Sequence, residues 1–354
     1  RFEVKIKVFG VGGGGCNAVD NMISSGLLKG VEFTAINTDV QVLEKSRARN
    51  KLAIGTKLTK GLGAGGNPEI GEKAAVEDKE RIRELIEGSS LLFLTTGMGG
   101  GTGTGATPII AEIAKEMGVL TIAVVTKPFE LEGKDRLEFA DKGIESVKEI
   151  ADAVIVIPNQ RLFLLQDGKV SFVQAFRMVD NVLLDSVRGI TELLDSTGII
   201  NVDFSDLNKV MQTPGDVFIG IGVGVGENKA VEAAEKAVDC PLMETLTMEG
   251  AEEILMNVIA GADFDMTEMD RVVKVVEKKT GGYNNLKYGI VFDENMAEEV
   301  KITVIAKGFK KVNKHTAEKM RERLAEDPVP KRLILIPPEG PDFETPAVFR
   351  RKAD

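Results

Sequence analysis

A chain of 354 residues is long enough for about two domains, and its apolar residues, 43% of the total, form no run near the roughly 20 a membrane span needs. One histidine, His315, and two distant cysteines, Cys16 and Cys240, exclude most zinc sites, disulfide frameworks and histidine-based hydrolases. A net charge of −10 argues against nucleic acid as the main partner. No basic, apolar, small-residue leader precedes the first apolar run, so nothing there points to secretion, and Arg1 in place of Met reads as a trimmed start.

In chain order, residues 4–10, 31–37, 91–96, 119–125 and 153–158 are short, nearly continuous apolar runs, expected as buried strands. Helical spacing lies between them, in 17–27, 69–88 and 107–118. Such alternation predicts an α/β fold with a doubly wound parallel sheet over 1–170, its ligand at the carboxyl ends of the strands. A long central helix is expected over 171–196, with apolar residues on more than one face. A smaller α+β domain follows over 197–309. It comprises a helix at 205–213, a glycine-punctuated strand at 216–226, a helix at 228–238, and strands near 288–292 and 299–306. The charged, proline-bearing segment 310–354 reads as a linker and tail.

Two glycine-rich turns carry the chemistry. The first strand runs into GVGGGGCNAVDNM, where Gly10, Gly12 and Gly15 have G-x-G-x-x-G spacing and backbone N–H groups open a helix toward an anion. Alone, this is a dinucleotide fingerprint, with Asp39 where a ribose-binding acid would stand, or simply a tight turn. The second turn, GMGGGTGTGATP, follows the strand at 91–96, with a helix expected from about Thr107 and Pro108 in its first turn. A dehydrogenase needs no second cradle, and no Walker lysine sequence is present. The implied phosphate site uses backbone N–H groups, the Thr102 and Thr104 hydroxyls and helix termini. Mg²⁺ would be carried in by the phosphates rather than held in a protein metal site.

The segment GMGGGTGTGATP resembles the FtsZ family of the tubulin superfamily, bacterial cell-division GTPases. GVEFTAINTD, TKGLGAGGNPEIG, AVVTKPFELEG, IPNQRL and INVDFSDL are similar to the same family, over residues 4 to about 308 and the final dozen. The resemblance implies GTP and GDP contacts at Gly13, Gly14, Gly15, Cys16, Asn17, Asn37, Asp39, Gly65, Gly97, Gly99, Gly100, Gly101, Thr102 and Gly103. Cys16 stands where the family has glycine, so a backbone contact there requires a negative φ.

Further contacts implied by the resemblance are Glu132 and Arg136 near ribose and phosphate, and Asn159 after the last strand of the sheet. By themselves Glu132 and Arg136 would read as an exposed i,i+4 pair. Phe176 would stack on the base. The family's guanine-reading aspartate, five residues beyond that Phe, corresponds to Asn181, with Asp180 beside it. Either could read guanine.

Asn201, Asp203 and Asp206 are the catalytic candidates that the resemblance implies. As pure pattern, Asp203-x-x-Asp206 is a helix cap. In the family, subunits stack head to tail, and this loop of one subunit completes the GTP site of the next. The two carboxylates would orient the attacking water, with Asn201 helping to position it. The tail 342–354 is similar to the family's C-terminal peptide at Asp342, Pro346, Phe349 and Arg350. The resemblance thus implies a cytoplasmic protein of the mid-cell division ring that polymerises with itself. Its tail would dock on tethers such as FtsA and on regulators, without entering the membrane. An NAD-type enzyme and a nucleotide-binding polymer without hydrolysis are the readings weighed against it.

Overall fold

A computed structural model of the chain describes residues 4–165, 170–195, 200–213, 215–239, 248–282, 285–293, 296 and 298–309. His315, Cys240 and the tail 342–354 lie outside them. The chain divides into two compact units, one holding residues up to 163 together with 170–188, the other continuing from 189.

In the first unit the apolar runs form strands because both of their faces are covered, which favours unbroken β-branched and aliphatic sequence. The elements begin β1 Ile6–Val11, α1 Gly12–Ser25, β2 Val31–Asn37, α2 Val40–Lys45, β3 Asn50–Ala53, α3 Thr56–Thr59, α4 Pro68–Glu77 and α5 Lys79–Ile86. They continue with β4 Leu91–Gly97, α6 Gly101–Glu116, β5 Leu120–Lys127, α7 Lys134–Ile150, β6 Ala153–Pro158 and α8 Phe172–Asp195, of which the part from residue 189 belongs to the second unit. All six strands are parallel, in the order β3-β2-β1-β4-β5-β6. The order reverses at β1 and β4, so the turns leaving these neighbours open a crevice at their carboxyl ends. Phe9, Val11, Leu92, Leu94, Ile110 and Val125 belong to the buried cluster that holds sheet and helices together.

Two helices depart from the sequence expectation. The stretch 69–88 is two helices, broken at Asp78, whose carboxylate accepts the Gly55 N–H at 2.8 Å and pairs with Arg81 at 2.9 Å. Helix α6 starts at Gly101 rather than near Thr107, which puts Pro108 in its interior. Proline there removes one backbone bond, but the helix runs on, and the Thr107 hydroxyl donates to the Gly103 carbonyl at 2.6 Å.

The second unit contains α9 Phe204–Gln212, β7 Val217–Val225, α10 Lys229–Val238, β8 Glu253–Ala260, α11 Met266–Thr280, β9 Asn285–Phe292 and β10 Glu299–Lys307. Its mixed sheet has the order β7-β10-β8-β9, with only the β8–β9 pair parallel. Glycine punctuation in β7 has a packing cause. A Cβ at Gly220, Gly222 or Gly224 would lie within 2.0 Å of a carbonyl oxygen of α10, so only glycine lets helix and strand approach this closely. Strand β8 and helix α11 are not among the elements expected from the sequence. Among the described residues no helix is long and apolar enough to cross a membrane.

Candidate functional site

The crevice between β1 and β4 holds a cavity of about 350 Å³, walled entirely by residues of the first unit. Gly13, Gly14 and Asn17 reach it from the start of α1. Gly97, Gly100, Gly101, Thr102 and Gly103 reach it from the end of β4 and the start of α6. Glu132, Arg136, Asn159, Phe176 and Asp180 complete the set of expected residues on its wall.

Gly12 to Gly15 do not precede α1 but form its first turn, and Gly101 and Gly103 likewise open α6. Neither helix has a side-chain cap, so the N–H groups of both first turns lack intrahelical partners and form an anion site reinforced by the helix dipoles. Gly12 has φ +71°, and a Cβ there would come within 2.8 Å of the Gly103 nitrogen. The two turns therefore abut backbone to backbone. The Thr96 hydroxyl, donating to the Val11 carbonyl at 2.9 Å, ties the strand ends below them. The Thr102 hydroxyl is paired with that of Thr38 at 2.6 Å.

Glu132 and Arg136 form the i,i+4 ion pair that their spacing suggests, at 2.7 Å, and do so on the cavity wall. The other Glu132 oxygen accepts the Phe129 N–H at 2.9 Å. Asn159 is 4% exposed, and its Oδ1 has no hydrogen-bond partner among the described residues. A buried acceptor left open on a cavity wall fits a ligand that donates to it.

The far wall belongs to α8. Phe176, Val179, Asp180 and Leu183 line it, at the i, i+3, i+4 and i+7 positions of one helical face. Asn181 is five residues on, turned about 140° around the helix from Phe176. Its Oδ1 accepts from Asn21 Nδ2 at 3.2 Å, away from the wall residues. Burial, and then the charge of Asp20, pushes the Asp180 carboxyl up to about 7.

Besides Asn181, six expected contacts do not line the cavity. Gly15 packs on the strand below, where a Cβ would meet the Thr95 carbonyl at 2.3 Å. Cys16 lies within helix α1 with negative φ, and its thiol points toward the carbonyls of Gly10 and Ile36 at 3.8 and 3.9 Å. Burial pushes that thiol up to about 12. Asn37 is buried and accepts the Asp39 N–H at 3.3 Å. Asp39, on which a dinucleotide reading would rest, caps α2 by accepting the Gln41 and Val42 N–H groups at 2.9 and 3.4 Å. Gly65 has φ +60° in the segment before α4, and the Gly99 N–H donates to the Thr104 hydroxyl at 2.9 Å. Met98, Thr126, Pro128, Val179 and Leu183 line the cavity and were not foreseen. Helical spacing from Phe176 was a signal for the last two.

Asn201, Asp203 and Asp206 lie in the second unit. Asp203 is the N-cap of α9 and accepts the Asp206 N–H at 2.9 Å and the Ser205 hydroxyl at 2.7 Å. Asp206 returns the contact by accepting the Asp203 N–H at 3.4 Å, a capping box. Its other oxygen is paired with Lys287. The Ser205 hydroxyl, the Asp206 N–H and, more weakly, Lys287 hold the Asp203 carboxyl below its usual range. Among the described residues no group of three His, Cys, Asp or Glu is placed to hold a metal ion.

Residues 5–167 match the family described as Tubulin/FtsZ family, GTPase domain, and residues 215–310 match FtsZ family, C-terminal domain. The chain is 45% identical to the cell division protein FtsZ of Pseudomonas putida, over 98% of this chain and 89% of that one. It is 48% identical to that of Pseudomonas aeruginosa, over 86% and 77%. A solved structure, an empty FtsZ dimer from M. jannaschii, superposes with a TM-score of 0.79 at 41% identity, covering 86% of this chain and 88% of that one.

Proposed function

This chain belongs to the FtsZ branch of the Tubulin/FtsZ family and is a GTPase; from that premise we propose that GTP sits in the cavity of the first unit and is hydrolysed with carboxylates supplied by a second copy. Its phosphates would lie on the first turns of α1 and α6, with Arg136 as the cation on that wall. The ribose and base would run toward α8, where Asn159 accepts from the ligand, Phe176 stacks and Asp180 reads guanine N1–H and N2–H. Mg²⁺, arriving on the phosphates, would neutralise part of their charge.

The cavity itself supplies binding groups rather than a means of activating water. Of its two wall carboxylates, Glu132 already accepts from Phe129 and Arg136, and Asp180 stands beside the stacking ring. Asp203 and Asp206 do not line the cavity, and a second copy stacked head to tail would bring them to it. There, with Asn201 positioning it, the water attacks the γ-phosphorus as the bond to the β–γ bridging oxygen breaks. The copy that brings the carboxylates also extends the filament, so assembly and turnover coincide. In the cell such a filament would form the cytoplasmic division ring, and the tail 342–354 would bind tethers such as FtsA and regulators.

The observation that carries this reading is the pair of uncapped, abutting glycine turns at the point where the strand order reverses. GTP, and not ATP, is expected to drive sedimentable polymer, with phosphate release per subunit rising above a critical concentration. Full-rate hydrolysis by dilute subunits would overturn the shared site. Asp206→Ala is expected to bind GTP and release no phosphate.

A further inference from the structure

We infer that Lys287 is a positioning residue for hydrolysis, holding the Asp206 carboxylate in the orientation it presents to the neighbouring subunit's GTP; the inference rests on the catalytic assignment of Asp206 proposed above. Strand β9 is the edge of the second unit's sheet, and its successive side chains face opposite sides. Leu286, Tyr288 and Ile290 pack against the core of that unit. Lys287 and Gly289 share the opposite face.

The loop bearing the catalytic candidates pairs with the edge of β9 and lies close to Gly289. The Ile290 N–H donates to the Ile200 carbonyl at 2.9 Å, and a Cβ on Gly289 would lie 3.2 Å from the same carbonyl oxygen and 3.3 Å from the Val202 side chain. Two residues before Gly289, Lys287 Nζ donates to Asp206 Oδ1. Among the described residues, the one other restraint on the Asp206 carboxylate is the long 3.4 Å contact of Oδ2 with the Asp203 N–H. Without Lys287 the carboxylate is held by that weak bond alone, and a general-base or water-orienting group depends on its aim.

A second effect comes from charge. Bringing two carboxylates up to a triphosphate is a like-charge encounter, and Lys287 places a cation among them. Asp206, and then the charges of Asp203 and Glu253, hold its ammonium above the usual lysine range. Glu253 itself is served by Lys209 and Asn285, at 2.9 and 2.8 Å, so Lys287 is not needed there. The site therefore has a fourth member, beside Asn201, Asp203 and Asp206, that neither motif spacing nor the capping pattern identifies.

The test uses the full chain carrying Lys287→Met or Lys287→Arg, with phosphate release measured against protein concentration. Turnover per polymerised subunit is expected to fall about tenfold in Lys287→Met and to recover most of that loss in Lys287→Arg. GTP affinity of the dilute subunit and the critical concentration should each stay within about twofold. Added to Asp206→Asn, Lys287→Met should cause no further loss, because the two act as one unit. Lys287→Met turning over within about twofold of the parent overturns the inference, as does a Lys287→Arg variant as slow as Lys287→Met. If Lys287→Met is unfolded by circular dichroism, Lys287→Gln takes its place under the same criteria. Asp206→Asn alone separates the two claims: normal turnover there overturns the assignment of Asp206. An inactive Asp206→Asn beside a normal Lys287→Met overturns only the role of Lys287.

Discussion

The rings of Phe129 and Phe176 meet edge to face, with centroids 5.6 Å apart and planes at 84°. Phe129 is 2% exposed, in the turn after β5, and it braces the ring that α8 presents to the cavity. Truncating Phe176→Ala removes a stacking surface worth about 1–3 kcal/mol of binding per base. Fluorescent GTP titration should show that loss with little change in thermal stability. Phe129→Ala should instead cost about 3 kcal/mol of stability, as for a buried aromatic, and weaken binding only through a looser Phe176.

Asp180 makes nucleotide-free stability depend on pH. Its carboxyl is raised from 3.8 to about 7, so between those values the native chain keeps a proton that the unfolded chain has lost. That stabilisation is full below about pH 4 and is lost as pH rises through about 7. Denaturant melts should show this slope in the parent and not in Asp180→Asn. GTP affinity should run the other way, because only the carboxylate accepts with both oxygens from guanine N1–H and N2–H. Affinity is expected to weaken by up to about tenfold per pH unit below about 7. A flat profile from about pH 5 to pH 8 would remove Asp180 as the reader of the base.

Gly12 and Gly13 are adjacent and should respond differently to alanine. Gly12→Ala forces an L residue to φ +71°, at about 1–2 kcal/mol, and drives its Cβ to 2.8 Å from Gly103. Thermal melts should fall and GTP binding should be lost. Nothing lies within 4 Å of a Cβ on Gly13, so Gly13→Ala should melt like the parent.

Capping and catalysis can be separated at Asp203. Asparagine caps a helix as well as aspartate, whereas alanine costs about 0.5–2 kcal/mol. Asp203→Asn should therefore keep its melting temperature and lose most phosphate release, while Asp203→Ala loses both. Normal turnover in Asp203→Asn would leave Asp203 as a cap and nothing more.

Local features were legible because they are written within a few residues. Residues 31–37 and 153–158 form strands with those same limits, since strands of a covered parallel sheet are mostly apolar along their length. Less was visible where the local signal conflicts with the outcome. Pro108 argues for a helix start, yet α6 already has seven residues before it, most of them glycine or threonine with modest helix propensity. Tertiary packing overrides that propensity: Gly105 lies so close to α4 that a Cβ would meet the Pro68 carbonyl at 1.9 Å. Strand β8, whose run EILMNVIA follows charged Glu252, was passed over, although its pairing with β9 and β10 makes it a central strand.

At the site, residue order alone specified two glycine turns, each leaving an apolar strand and opening a helix, with no lysine in either turn. It could do so because φ > 0 and a bare helix start are demands that single residues meet. Tertiary structure alone decided that those turns touch. Val11 and Thr96 are 85 residues apart and become neighbours only through the β1–β4 pairing. It also chose Asp180 over Asn181 for the cavity wall, by the rotation of α8, and brought Lys287 to Asp206 across 81 residues. Contacts of that kind follow from which strands pair and which faces pack, a sum over the whole core that no short stretch of sequence contains.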